Sequence, residues 1–177
     1  MSKILPKLIE CANKANLVNV VIGGLALPAY NVIRASYDVD FCIAVKHQSE
    51  LDNFLSILNN NGIKTQQKPK SDDIIFTVYD EEQKQEAEIW LTPCDKFRWD
   101  DEMMMRIRRS EKGFNVLSPE DYIVAKLARV DRSAVDVDDV MQIIEMQKAN
   151  IDMQYLKKRA ECAGVGNDLR NLLEKLS

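Results

Sequence analysis

Residues 20–26 read VVIGGLA, and residues 34–41 read RASYDVDF. The β-branched run before the two glycines predicts a short buried strand. Gly23 and Gly24 predict a tight turn that opens a helix, whose free N–H groups could face an anion such as phosphate. A simple tight turn explains the two glycines about as well. The second stretch predicts another strand, in which Asp38 and Asp40 point to the same face of the sheet.

Two aspartates on one face of a strand are unfavourable by themselves, because their charges repel and aspartate is depleted in strands. A divalent cation between Asp38 and Asp40 would remove that penalty. Mg²⁺ usually takes one or two carboxylates together with waters and substrate phosphates. Alternatively, Asp38 merely ends the preceding loop at a strand edge. With the glycine turn upstream, the spacing predicts a site for Mg²⁺ or Mn²⁺.

A two-metal site needs a third acid, which we expect to be Glu88. This residue lies in a strand predicted at residues 85–91, between apolar neighbours, where a carboxyl group needs a partner. Glu86 is the competing choice, because side chains two apart share a face. Both glutamates could instead be exposed on the outer face of an edge strand. We predict that Asp38, Asp40 and Glu88 converge within metal-bridging reach at the edge of the sheet.

The chain divides into a mixed α/β part, residues 1–117, and a helical part, residues 118–177. Hydrophobic spacing predicts the elements of the first part, including a hairpin of two strands. These are helices at 4–15, 25–33 and 49–60, strands at 19–22, 37–45, 74–79 and 85–91, and weaker strands at 103–109 and 114–117.

The second part begins at a strong helix signal, SPED at residues 118–121, with an N-cap serine, a first-turn proline and two acids. Four helices are predicted, at 119–130, 135–147, 152–163 and 167–176. Together the two parts predict an α/β (α+β) fold with a mixed sheet flanked by helices. The C-terminal helical bundle should wall one side of the cleft.

Composition narrows the classes of partner. The 177 residues carry a formal net charge of −4, so the chain lacks the basic field that favours long nucleic acids. Its four cysteines are far apart and form no CxxC pair, which disfavours a zinc site. No apolar run approaches the length of a membrane span, and no leader pattern opens the chain. We therefore expect a reduced, cytoplasmic setting and no membrane partner.

The acid and glycine pattern resembles the polymerase-beta-like nucleotidyltransferase superfamily, which carries a hydrophobic strand, Gly-Gly or Gly-Ser, a short helix, Asp-x-Asp and a later acid. Gly24 stands where many members have serine, and the third acid is Glu88 rather than the commoner aspartate. Further motifs are similar to small prokaryotic nucleotidyltransferases related to abortive-infection and toxin–antitoxin components. These motifs are Arg34-x-Ser36-x-Asp38-x-Asp40, Ser118 to Asp121, Lys126-Leu127, Arg132 and Asp136 to Val140.

The resemblance implies a metal-dependent enzyme that moves a nucleoside monophosphate from a nucleoside triphosphate to a hydroxyl on RNA, protein or a small molecule, within a toxin–antitoxin or defence system. It implies that Asp38, Asp40 and Glu88 bind the metal and carry out catalysis. It also implies a set of residues that contact the nucleotide phosphates: Gly23, Gly24, Arg34, Ser36 and Lys126.

Some of these roles have alternatives. Arg34 could bind phosphate, brace Asp38 or form an ordinary surface salt bridge. Lys126 could reach the nucleotide or extend its stem along apolar surface. For the whole protein, the alternatives are a non-catalytic nucleotide or RNA binder and a protein whose main role is association with a protein partner. An exposed apolar patch on the C-terminal helices would favour the last.

Overall fold

The computed structural model describes residues 3–176, so residues 1, 2 and 177, at the ends of the two predicted parts, lie outside it. The helices and strands follow in chain order. They are α1 (Ile4–Lys14), β1 (Asn19–Ile22), a 3₁₀ helix (Gly23–Tyr30), β2 (Asp40–Ile43), α2 (Gln48–Asn60), β3 (Ile63–Thr65), β4 (Ile75–Asp80), β5 (Gln85–Trp90), α3 (Asp101–Met105), β6 (Arg108–Arg109), β7 (Asn115–Val116), α4 (Pro119–Ala128), α5 (Ala134–Gln147), α6 (Met153–Cys162) and α7 (Gly166–Lys175).

Five strands form a mixed sheet in the order β1-β2-β5-β4-β3, and β6 and β7 form a separate two-stranded hairpin. Strand β2 is antiparallel to β1 and parallel to β5. In this register Asp40 lies opposite Ile22 on one side and Glu88 on the other. The sheet therefore brings the end of β1, with its glycine turn, next to an acid from each of two neighbouring strands.

The predicted strand at 37–45 is shorter than expected, because β2 begins only at Asp40. Asp38 lies in the irregular segment before it, so the prediction that Asp38 sits inside a strand is wrong. Val39 is buried, but Tyr37 and Asp38 are exposed, so packing and pairing do not extend the strand backwards. The predicted helix at 25–33 is instead a 3₁₀ helix that starts at Gly23 and contains Pro28, which has no N–H to donate.

Two other local predictions need correction. Met103 was assigned to a strand, but it lies in the short helix α3, because the Asp100 side chain accepts a hydrogen bond from its backbone N–H and caps that helix. The short strand β3 was not predicted at all; it pairs with β4 and depends on that neighbour. The hairpin of β4 and β5 is confirmed.

The helical part is confirmed: α4 to α7 follow one another, and no strand occurs between Pro119 and Lys175. Ser118 caps α4 by accepting a hydrogen bond from the backbone N–H of Asp121, as its sequence signal predicts. Within residues 3–176, no helix is long and apolar enough to cross a membrane.

Helix α4 packs directly on the glycine turn and the 3₁₀ helix. The Tyr122 hydroxyl donates a 2.8 Å hydrogen bond to the Gly23 carbonyl, and the Tyr30 hydroxyl donates a 3.1 Å bond to the Leu117 carbonyl. The two tyrosine rings lie 4.8 Å apart between centroids. A buried aromatic pair with both hydroxyls satisfied fixes the relative position of its two elements. The side chains of α4 are thereby held at the edge of the sheet where the acids lie.

Candidate active site

Gly23 lets the Asp40 carboxylate lie directly over the backbone. Its φ of 61° is in the left-handed region, which favours glycine, and a Cβ at this position would overlap the Oδ2 atom of Asp40. Residue 23 therefore has to be glycine for two independent reasons. The turn fixes the position of an acid as well as reversing the chain.

Gly24 makes room for two side chains from the irregular segment before β2. A Cβ on residue 24 would lie 2.5 Å from the Cβ of Ser36, 2.7 Å from its Oγ and 2.9 Å from the Arg34 guanidinium. The Ser36 hydroxyl thus occupies space that a side chain at position 24 would need. The structure therefore brings a hydroxyl next to the glycine turn from Ser36.

Asp40 and Glu88 form a pair of adjacent carboxyl groups. Burial of the Glu88 carboxyl raises its pKa, and the negative charge of Asp40 and a hydrogen bond to it raise it further, whereas the Trp90 ring N–H and Arg129 favour the ionised form. Glu88 is exposed as a residue, so its pairing with Asp40 depends mainly on the strand register, which places the two residues opposite each other. A cation between the two groups would relieve their mutual repulsion.

Asp38, the third predicted acid, does not lie on a strand as Asp40 and Glu88 do. Asp38 is exposed in the segment that precedes β2, and it lines the same cavity as Asp40. Among residues 3–176, no group of three or more His, Cys, Asp or Glu side chains is arranged to hold a metal ion. Glu86, the competing choice, pairs across the hairpin with Tyr79 rather than with Asp40. The structure therefore brings Asp40 and Glu88 together, and a three-acid site that includes Asp38 stays a prediction.

A polar cavity of about 430 Å³ opens beside these acids. The glycine turn and the segment before β2 line one side, and the helical part lines the other. The lining residues are Gly23, Gly24, Arg34, Ala35, Ser36, Tyr37, Asp38, Asp40, Lys126, Arg129, Asp131, Ser133, Val135 and Asp136. Every predicted site residue except Glu88 lines the cavity. Glu88 lies on the neighbouring strand, opposite Asp40, which does line it.

Lys126 lies in the wall of this cavity, where two aspartates of α5 hold its ammonium group. Its Nζ is 2.7 Å from Asp136 Oδ1 and 3.1 Å from Asp139 Oδ2, and the side chain is almost fully buried. Burial acts to raise the pKa of Asp136, but hydrogen bonds from Lys126 and Ser133 and the Lys126 charge together lower it. Lys126 therefore faces the cavity as one member of an ion-pair cluster.

Asp139 joins the two parts of the chain. It is 0% exposed, and its Oδ1 lies 3.2 Å from Arg34 Nε while its other oxygen faces Lys126. Neither oxygen has a hydrogen-bond partner of good geometry among residues 3–176, so the attraction of the two cations holds the carboxylate. Arg34 thus pairs with Asp139 rather than bracing Asp38. A buried acid that faces two cavity cations fixes both of them at once.

Asp136 and Asp139 lie in the motif Asp136 to Val140 that resembles other nucleotidyltransferases, but the sequence predicts no role for either of them or for Arg129. The spacing of the two aspartates, three apart on a helix, was a usable signal, because such residues share a face. Arg129 offered none: it lies just after α4, and its guanidinium stands 5.6 Å from the centre of the Trp90 ring. The hydrogen bond to Asp131 is the main reason that the pKa of Arg129 is raised.

Comparison with known proteins agrees with this geometry. The family model described as "Nucleotidyl transferase of unknown function (DUF2204)" matches residues 2–177. No curated protein matches the chain in sequence at a significant level. The solution structure of the antibiotic-resistance factor ANT(2'')-Ia is similar with a TM-score of 0.54 and 16% identity, over 97% of this chain and 92% of that one.

The crystal structure of ANT(2'')-Ia in complex with adenylyl-2''-tobramycin is similar with a TM-score of 0.57 and 14% identity. The match covers 94% of this chain and 97% of that one. At these identities the likeness shows a shared fold, and it confirms the predicted mixed α/β architecture.

Proposed function

This chain belongs to the nucleotidyl transferase family of unknown function DUF2204, and we propose that it moves a nucleoside monophosphate from a nucleoside triphosphate to a hydroxyl group of an acceptor. The family membership confirms the resemblance to nucleotidyltransferases. The observation that carries the proposal is the pairing of Asp40 with Glu88 over the glycine turn, at the edge of a cavity lined by Arg34, Lys126 and Arg129.

The two carboxyl groups suit Mg²⁺ or Mn²⁺. Burial raises the pKa of Glu88 and repulsion from Asp40 raises it further, so a cation would relieve part of this cost, and oxygen ligands of this kind are what Mg²⁺ prefers. Because Mg²⁺ needs only one or two carboxylates besides substrate phosphates and water, the Asp40–Glu88 pair is sufficient, with Asp38 as the proposed third ligand. When bound, the metal would lower the pKa of the acceptor hydroxyl and neutralise charge on the triphosphate.

The positive side chains of the cavity are proposed to bind the triphosphate. Arg34 can present its guanidinium to phosphate oxygens while Asp139 holds its Nε edge. The Ser36 hydroxyl and the backbone N–H of Gly24 add uncharged donors at the start of the 3₁₀ helix. Lys126 contributes positive charge from a fixed, buried position, since its ion pairs with Asp136 and Asp139 hold its ammonium group.

The reaction forms a bond from the acceptor oxygen to the α-phosphorus and breaks the bond from that phosphorus to the bridging oxygen, so pyrophosphate leaves. The hydroxyl proton needs a base, and we assign that role to Glu88. Its strand register places it opposite Asp40, beside the cavity, so its carboxylate is positioned to accept that proton.

A protein of the same fold illustrates this class of product. The ANT(2'')-Ia crystal structure contains adenylyl-2''-tobramycin, in which an adenylyl group is joined to an aminoglycoside. We carry over to this chain only the reaction class, transfer of a nucleotidyl group to an acceptor. The toxin–antitoxin or defence context, a protein partner and a cytoplasmic setting stay predictions from the sequence.

The proposal is tested with the full chain and each nucleoside triphosphate labelled at the α-phosphate, with and without Mg²⁺. RNA, protein and small hydroxyl compounds serve as acceptors. We expect Mg²⁺-dependent transfer of label with release of pyrophosphate, both abolished by a chelator. If the triphosphate binds with Mg²⁺ but no acceptor takes up label, the protein is a non-catalytic nucleotide binder instead.

Asp139→Asn tests whether the buried acid positions the cavity cations. We expect the KM for the triphosphate to rise by about 10-fold or more, because Arg34 and Lys126 lose the charge that holds them. Breaking a buried ion pair should also cost about 3 kcal/mol of stability. Asp138→Asn, an exposed neighbour on the same helix, is the matched control and should change neither quantity. A destabilised Asp139→Asn enzyme with an unchanged KM would refute the positioning role.

A further inference from the structure

A second, larger cavity lies beside the polar one, between α1, the 3₁₀ helix and the turn that joins β6 to β7. Its volume of about 790 Å³ is typical of small-molecule sites. Most of its wall is apolar, formed by Leu5, Pro6, Ile9, Leu25 and Phe114. Leu25 and Ile9 are only partly buried, so their side chains offer free apolar surface to a ligand.

The two cavities share part of their walls. Ser36 and Tyr37 line both, and Tyr37 is 92% exposed, so its ring is free to contact a bound molecule from either side. A ligand in the larger cavity could therefore extend a hydroxyl past Ser36 toward the Asp40 carboxylate. No other lining residues are common to these two cavities.

The charges of the two cavities differ in sign. The polar cavity is lined by four aspartates, Asp38, Asp40, Asp131 and Asp136, and by three cations, Arg34, Lys126 and Arg129, so its net charge is negative by one. Among the described residues that line the larger one, Lys112 carries the only charge and no acid is present. Gln85, one of three uncharged polar side chains there with Ser36 and Tyr37, accepts hydrogen bonds from the backbone N–H groups of Lys3 and Ile4. A polycation would find no counter-charge in this cavity, whereas one anionic group would find Lys112.

We propose that the larger cavity, called here the acceptor groove, binds the acceptor of the proposed reaction: a small molecule with an apolar body, one anionic group near Lys112 and a hydroxyl directed past Ser36. The inference rests on the proposed function for the transfer step. The acceptor oxygen bonds to the α-phosphorus, pyrophosphate leaves and Glu88 takes the hydroxyl proton. Phosphate-rich RNA and polycationic aminoglycosides do not match these walls.

The probe for this groove is 6-hydroxy-2-naphthoate, an apolar body with a carboxylate at one end and a hydroxyl at the other. Binding of the naphthoate is measured by its fluorescence in the absence of nucleotide. A protein that does not catalyse the proposed reaction would therefore still show this binding. We expect saturable binding that Ile9→Gln weakens about 10-fold through loss of apolar contact. Ile57→Gln is the matched control, because Ile57 is also a partly buried helical isoleucine but lies on α2, outside the groove.

Two further variants test whether Lys112 binds the anionic group of the ligand. Lys112→Glu should weaken naphthoate binding by about 10-fold, whereas Lys68→Glu makes the same charge change at an exposed site elsewhere and should have no effect. Tobramycin should not displace the naphthoate. Equal affinities in all four variants and the parent, or displacement by tobramycin at similar concentrations, would overturn the proposal.

Transfer to the probe separates this inference from the proposed function. With labelled triphosphate and Mg²⁺, Ile9→Gln should raise the KM for the naphthoate and leave the KM for the triphosphate unchanged. The enzyme could instead transfer label to other hydroxyl compounds at rates that Ile9→Gln and Lys112→Glu do not change. That result would show an active enzyme whose acceptor binds outside the groove, and it would overturn the groove assignment but not the proposed function.

Discussion

Asp40→Asn is expected to lower the rate of nucleotide transfer by about 10³-fold or more, which corresponds to about 4 kcal/mol of transition-state stabilisation. Asparagine keeps the shape of the side chain over Gly23, but it loses the charge that we propose holds a divalent cation together with Glu88. The measurement is label transfer from the triphosphate at saturating Mg²⁺. Asp72→Asn, an exposed aspartate outside the cavity, is the control.

The same variant should keep or gain stability in the absence of divalent cations. Because the pKa of Glu88 is raised above its ordinary value of 4.5, the folded protein binds that proton more tightly than the unfolded chain. Stability is therefore highest below pH 4.5 for this group and falls as the pH rises through the folded-state pKa. Removing the charge of Asp40 removes part of the rise in the Glu88 pKa. The variant should therefore lose less stability than the parent as the pH rises to neutrality.

Thermal unfolding of parent and Asp40→Asn across pH, in chelator, measures this effect, and an NMR titration of Glu88 measures the pKa directly. We expect the Glu88 pKa to fall toward its ordinary value in the variant. A variant that transfers label at the parent rate would refute the catalytic role of Asp40. An unchanged Glu88 pKa would show that the two carboxyl groups do not interact as the structure places them.

Gly23→Ala should be the most damaging conservative change in the chain, for stability and for activity. Alanine at a φ of 61° costs about 1–2 kcal/mol in the left-handed region. Gly62→Ala carries a similar cost at a φ of 74°, but no atom lies within 4 Å of a Cβ there. The Cβ on residue 23 additionally overlaps Asp40, so we expect a further loss of about 1–3 kcal/mol and a transfer rate near that of Asp40→Asn.

A double-mutant cycle isolates that contact. In an Asp40→Ala background the carboxylate is gone and only the Cβ of residue 40, 3.0 Å from the added Cβ, stays close, so Gly23→Ala should cost much less than in the parent and only somewhat more than Gly62→Ala. The measured quantity is the free energy of unfolding from denaturant titration. Strictly additive effects of the two changes would mean that Asp40 does not pack on residue 23, and the proposed link between the glycine turn and the acid would fail.

Local signals in the sequence predict a large share of this fold. The cap at Ser118 starts α4, because the side chain that begins the helix is adjacent in the chain to the N–H group it satisfies. Alternating apolar residues similarly predict β4 and β5 as a hairpin. Signals of this kind fail where the decisive partner is distant, as they do for β3.

The sequence alone also predicts which residues at the glycine turn carry chemistry, and that role stays a prediction. Gly23, Gly24 and Asp40 stand out by residue type and spacing, since glycine and a strand aspartate are each unfavourable without a special reason. Only the tertiary structure decided that Asp38 precedes the strand, that Glu88 rather than Glu86 adjoins Asp40, and that Asp139 holds Arg34 and Lys126. Strand register and the packing of α5 on the 3₁₀ helix set those contacts, and both depend on the summed burial of many side chains rather than on any local pattern.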